Sequence, residues 1–330
     1  MTNRNICFIL CPLMFLWMAM AGCKRPLPAA EAENYLRAFD NNLVQLAGNI
    51  GQTMSYQAMW KLCSIKNVPL PYLFSTATPT SKLRNQFEFN RVKGHYQFDG
   101  SRNSLIKDAF SDSIIIDFPF QSEIDSTARF IIAEYSEDIT ILQFMYPLRI
   151  NACLKIGKRI VMSVQQVGEI SHGVPVSGDF KIDFSRYSIR AKLKTNLHRD
   201  YGMLKIDMGV STDEKKQIQC IIRSKITIGE DNSLVYNTLD VDFEMFPVRV
   251  KVSVDQESMD RYTKRWMDDF NRNSSITVFD LDRNGFIGNI RLMARPKSDI
   301  LNFAVIYGDK SYEFLDRFLL SAQKLMNVKL

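Results

Sequence analysis

Phe180–Lys194 reads FKIDFSRYSIRAKLK. Phe180, Ile182 and Phe184 alternate with Lys181 and Asp183, and Tyr187, Ile189, Ala191 and Leu193 alternate with Ser188, Arg190, Lys192 and Lys194. A period of two sends successive side chains to opposite faces of a strand, so each run has one apolar and one charged face. Ser185-Arg186 between the runs is the two-residue spacing of a tight hairpin. Strands of a parallel sheet, buried on both sides, would read as unbroken apolar runs. Alternation marks an antiparallel sheet that is wet on one face and packed on the other.

The pattern recurs in both directions. Leu148, Ile150, Ala152, Leu154 and Ile156 share a face against Arg149, Asn151, Cys153 and Lys155, and Val248, Val250, Val252 and Val254 share one against Arg249, Lys251, Ser253 and Asp255. Phe87 with Phe89, Tyr96 with Phe98, Ile114–Phe118, Arg129–Tyr135 and Ile139–Met145 are further strand candidates. Tyr146-Pro147, Val174-Pro175 and Phe246-Pro247 each precede an alternating run, where a missing N–H costs least. Gly157-Lys158, Asp231-Asn232 and Asn284-Gly285 supply turn chemistry. With Asp231 and Asn232 at a hairpin tip, Arg223 falls opposite Asp240, Ile222 opposite Val241 and Cys220 opposite Phe243. Every pair then matches in polarity, whereas a slip of one residue would mix the faces. A dozen or more strands over 84–307 imply a wide, curved antiparallel meander, since an open sheet of that width curls or splits.

Helical periodicity brackets the strands. Leu36, Phe39, Leu43, Leu46, Ala47, Ile50, Met54, Ala58 and Leu62 line one face over 31–66, with Gly48 and Gly51 as points of kinking or splitting. Met259, Tyr262, Trp266 and Phe270 space a helix near 256–272, and Phe314, Leu315, Phe318, Leu319, Ala322, Leu325 and Met326 a C-terminal one over 311–327. Such faces are buried most economically on the apolar side of the sheet. The expected fold is α+β, mainly β, with a half-barrel-like sheet packed by these helices and residues 31–330 forming one domain. Leu148, Ile150, Phe180, Ile182, Ile189, Val250 and Val252 should line one continuous interior with Trp266 and Phe318, part of it open as a ligand groove.

The 330 residues are 46% apolar and 24% charged, well clear of disorder. Lys and Arg exceed Asp and Glu by six, too thin an excess for nucleic acid. His95, His172 and His198 are isolated, and HExxH, GxSxG, Walker and GxGxxG motifs are absent, so no nucleophile–base set or cofactor is implied. Asp280, Asp282 and Asn284 match the first half of a calcium loop, but Arg291 stands where the bidentate carboxylate belongs; a hairpin between strands 276–282 and 286–293 fits better. Arg149, Lys155, Arg190, Lys192, Lys194, Arg223, Lys225, Arg249 and Lys251 share the wet face with Asp240, Asp242 and Glu244. Such cations can hold phosphate groups; ion pairing across strands is the plainer reading. Cys153 and Cys220 fall on opposite faces and should not form a disulfide.

Residues 1–22 read as a secretory leader: Arg4, then Ile6–Ala19, at 14 residues too short to cross a hydrocarbon core of about 30 Å. Met20-Ala21-Gly22-Cys23 resembles the lipobox of bacterial lipoproteins. The resemblance implies cleavage before Cys23 and a diacylglyceryl group on its thiol, anchoring the protein to a membrane through lipid. Lys24 directly after the Cys implies the outer membrane, with the periplasm as the expected side and exposure at the cell surface as the alternative. Residues 23–30 should form a short extended tether rich in proline. Lipid anchor, wide sheet and amphipathic helices together resemble the Lol family of periplasmic lipoprotein carriers and acceptors, in architecture alone. That resemblance implies a non-enzymatic protein binding an apolar or glycan ligand. A structural or assembly lipoprotein contacting protein partners is the alternative, and a hydrolase the reading least supported.

Overall fold

The computed structural model describes residues 26–74, 86–120, 127–198, 201–213, 215–228, 234–259, 266–296 and 301–318. Helix α1 (Ala29–Gly51) ends at the second marked glycine, and Thr53 caps α2 (Met54–Cys63) by accepting the Tyr56 N–H at 3.3 Å. A single turn, α3 (Phe89–Val92), replaces the alternation read into Phe87 and Phe89. Lys93 N–H donates to Phe89 O at 2.9 Å, and the local turn lets both rings reach the same core.

The strands are β1 (Gly94–Asp99), β2 (Ser104–Ala109), β3 (Ile114–Pro119), β4 (Thr127–Ile139), β5 (Met145–Ile156) and β6 (Arg159–Ser171). Next come β7 (Val174–Phe184), β8 (Tyr187–Leu197), β9 (Tyr201–Thr212), β10 (Lys215–Ile228), β11 (Leu234–Tyr236), β12 (Thr238–Met245) and β13 (Val248–Asp255). Helix α4 (Trp266–Asn273) leads into β14 (Ser274–Asp280), β15 (Phe286–Ala294), β16 (Leu301–Ile306) and β17 (Tyr312–Phe314). All belong to one open sheet. From β3 onward neighbours in sequence pair antiparallel, β10 taking both β11 and β12. The fold is α+β, mainly β, as the alternation implies. One pair departs from the antiparallel meander: β1 lies between β2 and β3 and runs parallel to β3. The link 110–113 passes the start of β1, where Gly94 N–H donates to Ser113 O at 2.9 Å.

Arg223 pairs with Asp240, Ile222 with Val241 and Cys220 with Phe243, the register that matching polarity demands. Nearer the turn the register slips by one, placing Ile226 opposite Tyr236 and Ile228 opposite Leu234. Asn237 is the extra residue, and its buried amide explains why the slip holds. Its N–H donates to Lys225 O at 2.8 Å, its Oδ1 accepts the Thr227 hydroxyl at 2.9 Å, and its Nδ2 donates to Glu257 at 3.1 Å. The tip Asp231-Asn232 itself lies outside the described residues. Gly157-Lys158 and Ser185-Arg186 do close two-residue hairpins.

Three other expectations are corrected. Ile139–Met145 is not one strand: Thr140–Phe144 is a turn, with Gln143 at φ 62°, and Ile141 N–H donates to Gly173 O at 2.8 Å, tying the turn to the β6–β7 corner. Of the helix expected near 256–272, Gln256–Met259 is not helical, because the Asp255 carboxylate takes the Glu257 and Ser258 N–H groups at 3.2 Å and holds that segment as a turn; Trp266–Asn273 is helical, and residues 260–265 lie outside the described set. Residues 312–314 are the edge strand β17, since Asp309 accepts the Ser311 N–H at 3.0 Å and reverses the chain onto β16; a 3-10 turn follows, and 319–327 lie outside the described residues.

Two cores, rather than one interior, hold the helices to the sheet. In the first, Ala58 and Leu62 of α2 and Leu46 and Ile50 of α1 meet Ile114, Ile116, Phe118, Phe130, Ile132, Ile150 and Leu154. In the second, Ala32 and Leu36 of α1 meet Val248, Val278, Ile287, Val305 and Phe318.

Candidate functional site

Between the cores, the helix-facing side of β8–β12 is covered only in part. Leu193, Ile206, Ile222, Val241, Phe243 and Val252 share this face and are all half-buried, whereas Ile116, Phe130 and Leu154 in the first core are fully enclosed. The helices run near one end of the strands: Asn42 Nδ2 donates to Phe246 O at 3.0 Å and the Ser55 hydroxyl to Val161 O at 2.7 Å. The other end of β8–β10 has no helix over it among the described residues.

The expected groove residues therefore separate. Ile150, Phe180, Ile182 and Ile189 belong to the first core, and Val250 and Phe318 to the second. Val252 lies on the strip between them. Leu148 is an extra residue of β5, between Pro147 opposite Glu137 and Arg149 opposite Ser136, and is half-buried. Trp266, at the start of α4, is 49% exposed.

The strip runs into a cavity of about 160 Å³ at its helix-free end. Leu193, Leu204, Ile206 and Ile226 form the floor; Ile141, Leu142, Phe144 and Val174 close one side and Leu234 and Tyr236 the other. Thr195 also lines it. Its residue is 6% exposed and its hydroxyl has no hydrogen-bond partner. A buried hydroxyl left without a partner costs about 1–3 kcal/mol, so an orphan in an apolar cavity is the group a ligand would satisfy. Leu142 and Phe144, 43% and 46% exposed, mark its mouth. None of the Thr140–Phe144 wall was legible as such, because an apolar turn and an apolar strand have the same composition. The even–odd phase of β8–β10 does place Leu193, Thr195, Ile206 and Ile226 on one face.

The polar residues are largely spent on structure. The Asp280 carboxylate, 1% exposed, accepts the Arg283 and Gly285 N–H groups, each at 2.6 Å, and Phe279 faces Phe286, so 280–285 is a hairpin loop longer than Asn284-Gly285 alone. No group of three metal-binding side chains occurs among the described residues. On the wet face Arg249 bonds Asp242 at 2.8 Å and faces Glu244 at 3.4 Å, Lys192 faces Asp179 at 3.3 Å, and Lys181 pairs with Asp183. Cys63, Cys153 and Cys220 are free thiols.

Strand pairing builds one cluster from residues distant in sequence. His95 lies between Asp108 at 2.8 Å and Asp117 at 2.9 Å, and Arg129 grips Asp117 through Nε at 2.6 Å and Nη2 at 2.8 Å. Both carboxylates are engaged, so the cluster staples β1–β4 rather than presenting a base. Burial pushes the Asp117 carboxyl up, but the Arg129 and His95 hydrogen bonds outweigh it and hold the group below the ordinary carboxylate range. A depressed folded-state value contributes stability above the unfolded carboxylate value, near pH 4, and loses it as pH falls through the folded value. Asp117→Asn should therefore cost about 1–3 kcal/mol at pH 7, and thermal melts should show the gap to wild type closing as the pH drops below about 4. A gap independent of pH would contradict this account.

No protein-family model matches the chain. No curated protein and no solved structure matches it either.

Proposed function

We propose that the chain is a non-enzymatic lipoprotein, anchored through Cys23 in the periplasmic leaflet of the outer membrane, that binds an apolar ligand of the acyl-chain class. The observation that carries the reading is the half-buried strip of β8–β12 ending in the apolar cavity with its orphan Thr195 hydroxyl. A cavity near 150 Å³ lined by aliphatic groups admits a benzene-sized apolar group. The strip beyond it offers further apolar surface, at about 0.8 kcal/mol per buried methylene. A glycan would need a set of hydrogen-bonding groups that this face lacks. Titrating the acylated protein, held in amphipol, with a fluorescent polyene fatty acid should give saturable, one-to-one binding. Absence of saturable binding would remove the carrier reading and leave the assembly role, in which the same face meets a protein.

A further inference from the structure

The two ends of the sheet differ in chemistry, and the chain's start identifies one of them. Pro26 forms a parallel bridge with Phe286, and Leu27 N–H donates to Phe286 O at 2.9 Å, so the expected tether is docked on β15 from Pro26 onward. Cys23 stands three residues earlier, within about 11 Å of extended chain. The same end of the sheet carries the turns at 157–158, 185–186, 246–247 and 307–311 and the described part of the β9–β10 link, Asp213, because β5, β7, β9, β12 and β16 all finish there.

Lys158, Arg159, Arg186, Lys215 and Lys216 on those turns and the adjoining strand starts are all exposed. Arg283 is tied to Glu31 at 3.2 Å. Asp99, Asp213, Asp282 and Asp309 are the acids on the described turns of this end, with Asp280 buried in its loop. Among the cations stand two apolar side chains with no cover, Phe246 at 57% and Ile160 at 63% exposure. At the opposite end the described links carry Glu88, Asp112, Asp255, Glu257, Asp268 and Asp269 against Arg91, Lys93, Arg272 and Arg295.

We infer that the Pro26 end is a membrane-docking surface: the cations meet anionic phospholipid headgroups, Phe246 and Ile160 enter the interface, and the acidic end, with the mouth of the Thr195 cavity, points away. The inference rests on acylation of Cys23. An excess of cations beside exposed apolar groups at the point where an acyl anchor emerges is what an anionic bilayer surface attracts, and the excess of acids on the described links of the far end disfavours the inverted pose. The hollow of about 810 Å³ between α1 and these turns, lined by Arg186, Lys215, Lys216 and Phe246, belongs to the same surface.

The test uses the mature acylated protein, from which cleavage before Cys23 has removed Trp17, in vesicles of phosphatidylcholine with or without phosphatidylglycerol. Mass measurement of the N-terminal peptide first establishes acylation at Cys23. Phe246→Trp, in a background of Trp60→Phe and Trp266→Phe, should shift to shorter wavelength and be quenched by brominated lipid when phosphatidylglycerol is present. Trp266 as the sole tryptophan of the mature chain, with Trp60→Phe, should stay unquenched. Replacing Lys158, Arg186, Lys215 and Lys216 together by Glu should abolish the quenching at position 246, as should high salt. Ile160→Trp gives a second reporter if Phe246→Trp fails to fold. Acylated protein with neither reporter quenched overturns the docking surface and leaves the anchor standing. Equal quenching at both ends overturns the orientation, and an unacylated Cys23 overturns anchor and docking together.

Discussion

Phe130→Ala should lower the unfolding free energy by about 3–5 kcal/mol, the loss expected when a fully enclosed ring is removed from a core that cannot collapse around the gap. Phe130 is 0% exposed, and its ring meets Phe74 edge-on at 5.4 Å beneath α2. Ile206→Ala removes an aliphatic chain from the half-buried strip, where there is no tight shell to break, and should cost only about 1 kcal/mol, at the low end of single-mutation effects. The contrast is read from denaturant midpoints at unchanged slope. Equal costs at the two positions would mean that the strip is packed like the cores, and the case for an open groove would fail.

The second large effect concerns the cavity. Leu204→Trp places an indole into a space of about 160 Å³ and should weaken fatty-acid binding at least tenfold, a loss of about 1.4 kcal/mol. Thr195→Val should change the two properties in opposite directions. Removing an unpartnered buried hydroxyl should raise the stability of the free protein by about 1 kcal/mol. The same change should weaken binding of a ligand whose carboxyl or ester group uses that hydroxyl. Thermal melts and probe titrations on one preparation separate the effects, and a Thr195→Val protein that is less stable yet binds unchanged would show that the hydroxyl has a structural partner.

The alternation of charged and apolar residues was enough to read the sheet, its wet face and the far half of the β10–β12 register, because one buried face penalises every slipped alignment. The same logic is blind to Asn237, an insertion whose side chain satisfies the backbone groups it disturbs. Thr140–Phe144 and Tyr312–Phe314 defeated periodicity for a related reason: five and three residues are too few to distinguish periods, and Gly173 O and the Asp309 carboxylate settle the outcome from elsewhere in the chain. The His95 cluster was invisible because its four members meet only through β1–β4 pairing. Thr195 is the instructive case. Its phase placed it on the apolar face, but its lack of a partner is a property of the assembled turn above it.

The account stands on the strip and its cavity holding an acyl-chain ligand, and the most direct measurement is mass analysis of what accompanies the protein when it is extracted from its own membrane. The expected result is one acyl-chain lipid per chain in addition to the acyl groups on Cys23, lost in the Leu204→Trp variant. A stoichiometric protein partner with no such lipid would contradict the carrier reading.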